Sequence, residues 1–119
     1  MLKKVAFTLY PVSNMNRARE FYEKILQLSV SKISVEGEWI EYDLPQGGCF
    51  VLTTLAKGVQ PSAIAGGSIA FEVTDLEKLV AHLKKEGVNF KLEMFNTPVC
   101  KMAVIIDSEG NALTLHQLG

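Results

Sequence analysis

The chain has 119 residues, 48% hydrophobic and 21% charged, with a formal net charge of -1. That length fits one domain or two small, tightly joined halves, and the composition excludes a disordered chain. The charge balance excludes the basic surface that nucleic-acid binding needs, and no apolar run approaches the roughly 20 residues that cross a bilayer.

The opening run MLKKVAFTLYPV sets two lysines ahead of mostly apolar residues. It has no small-residue cleavage site, and a charged amphipathic segment follows at once, so it reads as a first strand rather than a signal peptide. The expected compartment is the cytoplasm. Asn14 then supplies a helix N-cap, and Ala18, Phe21, Tyr22 and Ile25 recur at helical spacing to form one apolar face. A weaker strand is expected over 29–35. WIEYDL (39–44) and CFVLTTL (49–55) read as a hairpin joined by PQGG. The stretch KGVQPSAIAGG (57–67), with its proline and glycines, is the natural join between halves.

The second half repeats the first. IAFEV is a strand, and a helix follows on Leu76, Leu79, Val80 and Leu83. Thr74 and Glu77 have capping-box spacing, and Gly87 after Lys84 and Lys85 is a stop signal. A weaker strand is expected over 88–94, and KMAVIID (101–107) and ALTLH (112–116) form a hairpin across SEGN. Matching segments recur at offsets of 61 to 64 residues. The expected architecture is α+β: one domain over 1–119, with module one at 1–56, a linker at 57–65 and module two at 66–119, each running β-α-β-β-β. Cys49 and Cys100 lie far apart with no CxxC spacing, so the expectation is two buried thiols, with a single disulfide as the alternative.

Alternation gives each strand two sides. Ile69, Phe71, Val73, Leu113, Leu115, Phe50, Leu52, Ile40 and Tyr42 suit packing against the helices. The other side carries Ser68, Ala70, Glu72, Ala112, Thr114, His116, Cys49, Val51, Thr53, Trp39, Glu41 and Asp43. Small residues, a Trp, carboxylates and one His do not make a second dry core. Such a face is open to solvent or lines a cavity.

The segments VSNMNRAREFYEKIL, GGSIAFEVTDLEKLVAHLKKEGV and DSEGNALTLHQ, in this order and spacing, resemble the vicinal oxygen chelate superfamily: the glyoxalases, bleomycin-resistance proteins and extradiol dioxygenases. The resemblance implies paired modules whose mixed sheet curves around a cup, with the helices outside, and a homodimer. Exposed strand edges give a separate motive to pair. In its metal enzymes, His or Glu stands at cup positions that correspond here to Phe7, Val51, Ser68 and Thr114. None of these is a good ligand for a divalent metal. His116 with Glu72 and Glu41 would lack a second His, because His82 lies off the buried stripe of its helix. A divalent metal is therefore disfavoured and no cofactor is assigned.

The favoured function is binding of a small molecule, as bleomycin-resistance relatives do. Phe7, Trp39, Val51 and Met102 would supply contact area. Ser68 stands at a cup position, and Glu41, Glu72, Thr114 and His116 would orient the ligand. An acidic lining favours a basic or amine-bearing ligand. The alternative is a lyase, isomerase or dioxygenase, with Glu72 or His116 as general base if burial raised the carboxylate pKa. An RNA-binding domain ranks last, because IAFEVTD carries neither interleaved aromatics nor positive charge.

Overall fold

Period-two alternation in the two hairpins and apolar stripes in the two helices settle into two compact units, Met1–Pro61 and Ser62–Gly119. The computed structural model describes residues 1, 3–56 and 58–119. Leu2, in the opening run, and Lys57, the first residue of the expected linker, lie outside the described residues. Each unit has the order β-α-β-β-β around a four-stranded mixed sheet, so the α+β repeat is present. Among the described residues no helix is long and apolar enough to cross a membrane.

In the first unit the sheet order is β1-β4-β3-β2, from Thr8–Pro11 (β1), Lys32–Ser34 (β2), Trp39–Asp43 (β3) and Cys49–Thr53 (β4). β1 runs parallel to β4, and the other pairs are antiparallel. The strand expected over 29–35 is cut to three residues by a 3-10 turn, Val35–Gly37. Val35 and Glu36 sit there in the left-handed region, at φ 51° and 56°. The first helix begins as α1 (Met15–Glu20), capped as expected by the Asn14 side chain, which accepts from the Arg17 N–H at 3.0 Å. It then widens into a π-helical turn, Phe21–Ile25, closed by the Leu26 N–H on the Phe21 carbonyl at 3.0 Å. Consecutive Phe21 and Tyr22 are both buried, whereas Ile25 is only half-buried.

The register pairs Tyr42 with Phe50 and Ile40 with Leu52 on the helix side of this sheet. All four are fully buried, as is Tyr22. The Tyr22 and Phe50 rings lie 5.2 Å apart, and the Tyr42 hydroxyl donates to Glu23 Oε2 at 2.8 Å. Burial pushes the Glu23 carboxyl up, but donation from Arg19 and Tyr42 outweighs it and leaves the carboxyl below its ordinary range. Burial, then the adjacent Glu23, pushes the Tyr42 phenol up.

The second unit repeats this in the order β5-β8-β7-β6, from Ile69–Glu72 (β5), Asn89–Asn96 (β6), Cys100–Ile106 (β7) and Ala112–Leu118 (β8). Helix α2 (Leu76–Lys85) buries Leu76, Val80 and Leu83 among Ala103, Ile105, Leu113 and Leu115. Its cap differs from the expected capping box: Asp75, one residue on from Thr74, accepts from the Lys78 N–H at 3.1 Å. Gln117 Oε1 takes the next donor, the Leu76 N–H, at 2.8 Å. Gly87 ends the helix at φ 77°, where a side chain would be strained. Cys49 and Cys100 are free, half-buried thiols, so the disulfide alternative is not realised.

Candidate ligand-binding site

The expected site residues all lie on or beside the sheet faces turned away from the helices. In the first unit, Glu41 pairs with Val51 and Trp39 with Thr53, which places these side chains together. Phe7, just before β1, meets the Trp39 ring edge-on at 5.6 Å. The Trp39 indole N–H donates to Glu41 Oε2 at 2.8 Å, so part of this carboxylate is already engaged. Burial, then the charges of Glu41 and Asp43, push the nearby Cys49 thiol up, which makes it a poor nucleophile. Phe7 is 44% exposed and Val51 is fully buried, so Phe7 offers contact area and Val51 underlies the face.

In the second unit, Glu72 pairs with His116 across β5 and β8, and Met102 pairs with His116 across β7 and β8. His116 Nδ1 lies 2.5 Å from Glu72 Oε1, and the Leu118 N–H donates to Glu72 Oε2 at 2.7 Å. The Leu118 N–H, then the His116 ring, hold the Glu72 carboxyl below its ordinary value of 4.5. A general base working near neutrality needs the opposite shift, so the burial on which that role depended is not met at Glu72. Because the folded pKa is depressed, the contribution of Glu72 to stability is complete above 4.5 and is lost as pH falls through the lower folded value. Glu72→Gln is expected to flatten the acid limb of stability over that interval, measured by urea unfolding across a pH series. A carboxyl carbon titrating at or above 4.5 in the native protein would contradict the assignment.

Ser68 and Thr114 lie at the other end of the same face, where the structure shows a half-open pocket of ≈ 350 Å³. Leu92, Val104 and Ala112 give it an apolar floor; Ser68, Thr114 and Lys91 bring polar groups; the segment from Ser62 to Gly67 forms its rim. Thr114 reaches the pocket because β8 alternates, with Leu113 and Leu115 buried toward the helix. Among the described residues no carboxylate lines the pocket. Glu72 and His116 are clasped further along, four residues beyond Ser68 and two beyond Thr114.

The rim is fastened by the DSEGN turn. Buried Asp107 accepts through Oδ1 from the Glu109 and Asn111 N–H groups, both at 2.8 Å. Asn111 is likewise buried; its side-chain nitrogen donates to Asp107 Oδ2 at 3.2 Å, and its Oδ1 accepts from the Ser62 N–H at 3.0 Å. Gly110, at φ 95°, makes the tight turn that brings these groups together. The motif is therefore a structural clamp on the pocket rim. Sequence reasoning missed this role and missed Lys91. The Asp and Asn flanking a turn glycine were the available signal.

The donor set does not suit a divalent ion. Phe7 and Val51 have no lone pair to offer, and Ser68 and Thr114 offer neutral hydroxyls. Among the described residues no three His, Cys, Asp or Glu side chains gather closely enough to hold a metal.

The family model described as Glyoxalase/Bleomycin resistance protein/Dioxygenase superfamily matches residues 4–115. Among solved structures, an antibiotic binding protein, TnmS3, from Streptomyces sp. CB03234 is similar at 23% identity, with TM-score 0.81 and coverage of 99% of this chain and 98% of its own. A glyoxalase/bleomycin resistance protein from the same organism is similar at 24% identity and TM-score 0.79, over 93% of this chain and 97% of its own. A lactoylglutathione lyase from Agrobacterium tumefaciens has TM-score 0.74 at 12% identity, over 98% of this chain and 94% of its own. No curated protein matches the chain.

Proposed function

We propose that this chain, which belongs to the glyoxalase/bleomycin resistance protein/dioxygenase superfamily, binds a small organic molecule without a metal, on the helix-free face of its second module. The observation that carries this reading is the pocket of ≈ 350 Å³ that holds Thr114 and Ser68 over an apolar floor. Its size falls within the range of about 300–1,000 Å³ typical of ligand sites, and a few polar groups over apolar walls are what such sites contain. Support also comes from the fold, which an antibiotic binding protein shares. Metal-free binding follows from the donor set, since the cup positions offer hydrocarbon and hydroxyl groups. Phe7 and Trp39 give the first module an aromatic corner on its own helix-free face, suited to stacking.

Thr114→Phe tests the pocket. The substitution puts an aromatic ring onto a strand position next to Ala70 and Val104, where strand propensity tolerates it. With 1-naphthalenemethanol as a neutral probe, amide shifts at Ser68, Val104 and Thr114 are expected in the native protein. Affinity is expected to fall by at least about tenfold in the variant, with its melting curve retained. Equal binding by both proteins would place the ligand elsewhere and sink the reading.

A further inference from the structure

Resting on the small-molecule reading above, we propose that the second-module pocket selects an organic anion, a carboxylate or phenolate carried on an apolar body, and that Lys91 is the residue that selects it. The basis is an irregularity in β6. Phe90 pairs with Ile105 and Leu92 with Val104, so β6 advances two residues while β7 advances one. Lys91 is the extra residue of this bulge. In an unbroken strand, Lys91 and Leu92 would face opposite sides of the sheet. Here both line the pocket. Phe90 pairs with helix-side Ile105, so Lys91 takes the helix-free face, and the bulge turns Leu92 onto that face beside it. Bulges recur beside binding sites because they re-aim a side chain in this way.

The charge so delivered is not cancelled by the pocket itself. Among the described residues no carboxylate is in its lining. Glu93, two residues along β6, is taken by Lys84 at 2.5 Å. Glu72, on the same sheet face, is held by His116 and the Leu118 N–H. The Lys91 ammonium donates one hydrogen bond to the Ala63 carbonyl on the rim. An ammonium has three donors and no acceptor, so further donors remain for a ligand oxygen. Ser68 and Thr114 add hydroxyls that can donate to the same oxygen atoms, while Leu92, Val104 and Ala112 receive the apolar part. The preference for a basic ligand drawn from Glu41 and Glu72 is thereby reversed at this pocket.

Three probes of one shape separate the possibilities: 1-naphthoate, 1-naphthalenemethanol and 1-naphthylmethylamine, titrated at neutral pH and followed at the Ser68 and Thr114 amides. Naphthoate is expected to bind about tenfold tighter than the amine, in line with a charge-assisted hydrogen bond. Lys91→Met is expected to shrink that preference to below about threefold, and Lys91→Arg to keep it. Lys91 is exposed, so both variants should fold as the parent does. Tighter binding of the amine, or a naphthoate preference that survives Lys91→Met, would overturn the assignment of Lys91. Binding of the neutral probe with no charge preference would overturn the anion proposal alone and leave the pocket a binding site. Silence from all three probes would overturn the binding function as well.

Discussion

Asn111→Ala is expected to lower the free energy of unfolding by about 2–3 kcal/mol and to release the rim of the second-module pocket. Asn111 is 3% exposed, so its polar atoms have little water to turn to. Alanine removes the acceptor of the Ser62 N–H and the donor to Asp107 Oδ2 together. The Asp107 carboxylate keeps its two backbone donors, so the turn survives. The Ser62 amide loses its anchor, and the Ser62–Gly67 segment keeps the bond from Lys91 to the Ala63 carbonyl but loses its tie to the turn. Urea unfolding gives the stability loss, and hydrogen exchange at the Ser62 amide gives the release. A loss below about 0.5 kcal/mol with unchanged exchange at Ser62 would show that the clamp is not the structural role of the motif. Asn111→Asp separates the two bonds, because it keeps an acceptor for Ser62 but sets a second carboxylate against Asp107. It should protect Ser62 better than alanine does at neutral pH, yet cost more stability in the turn.

The same turn shows what the sequence makes legible. Gly110 between polar residues predicts a tight hairpin, and the strict alternation of ALTLH predicts which side chains share a face; both hold in the register of β7 and β8. Parity also places Trp39, Glu41 and Val51 together, and Glu72 with His116. These are local rules of period two, and they survive folding wherever a strand is regular. The pairing of Lys91 with an apolar neighbour on one face was not legible for the same reason. In NFKLEMFN, alternation groups Leu92 with Phe90 and away from Lys91, and only pairing with β7 reveals the inserted residue that brings Leu92 beside Lys91. A bulge is a property of two strands, and one strand does not announce it.

Charge is only partly legible for a similar reason. The sequence presents Glu41 and Glu72 as an acidic lining, but composition cannot tell which carboxylates already have donors. Trp39 engages the first, and His116 with the Leu118 N–H engages the second. The cap of α2 shows a smaller slip. Thr74 fits the capping-box spacing, yet Asp75 takes the position, and β8 supplies Gln117 to the next free N–H. A second cap from another strand is a tertiary contribution that no helix-start signal contains.

Phe50→Ala is expected to have the largest effect on stability, about 3–5 kcal/mol. Phe50 lies in β4 between β1 and β3, and it is fully buried. Its ring sits 5.3 Å from Tyr10, 5.2 Å from Tyr22 and 6.5 Å from Tyr42. Truncation removes the transfer energy of the ring and leaves a cavity walled by three aromatic residues. Two of those, Tyr22 and Tyr42, are themselves fully buried in close packing, which limits collapse into the gap. Domains of this size hold only about 5–15 kcal/mol in total, so the loss is a large share of the whole. Tyr42→Phe provides the control: it keeps the ring and removes one hydrogen bond to Glu23, which Arg19 still holds, so a loss near 1 kcal/mol is expected. Trp39 is the single tryptophan of the chain and lies in the same sheet, so its fluorescence during urea unfolding reads both variants. If Phe50→Ala moved that transition no more than Tyr42→Phe does, the aromatic cluster would not be the main support of the first module. Its helix-side hydrogen bonds would then carry more of the stability than burial accounts for.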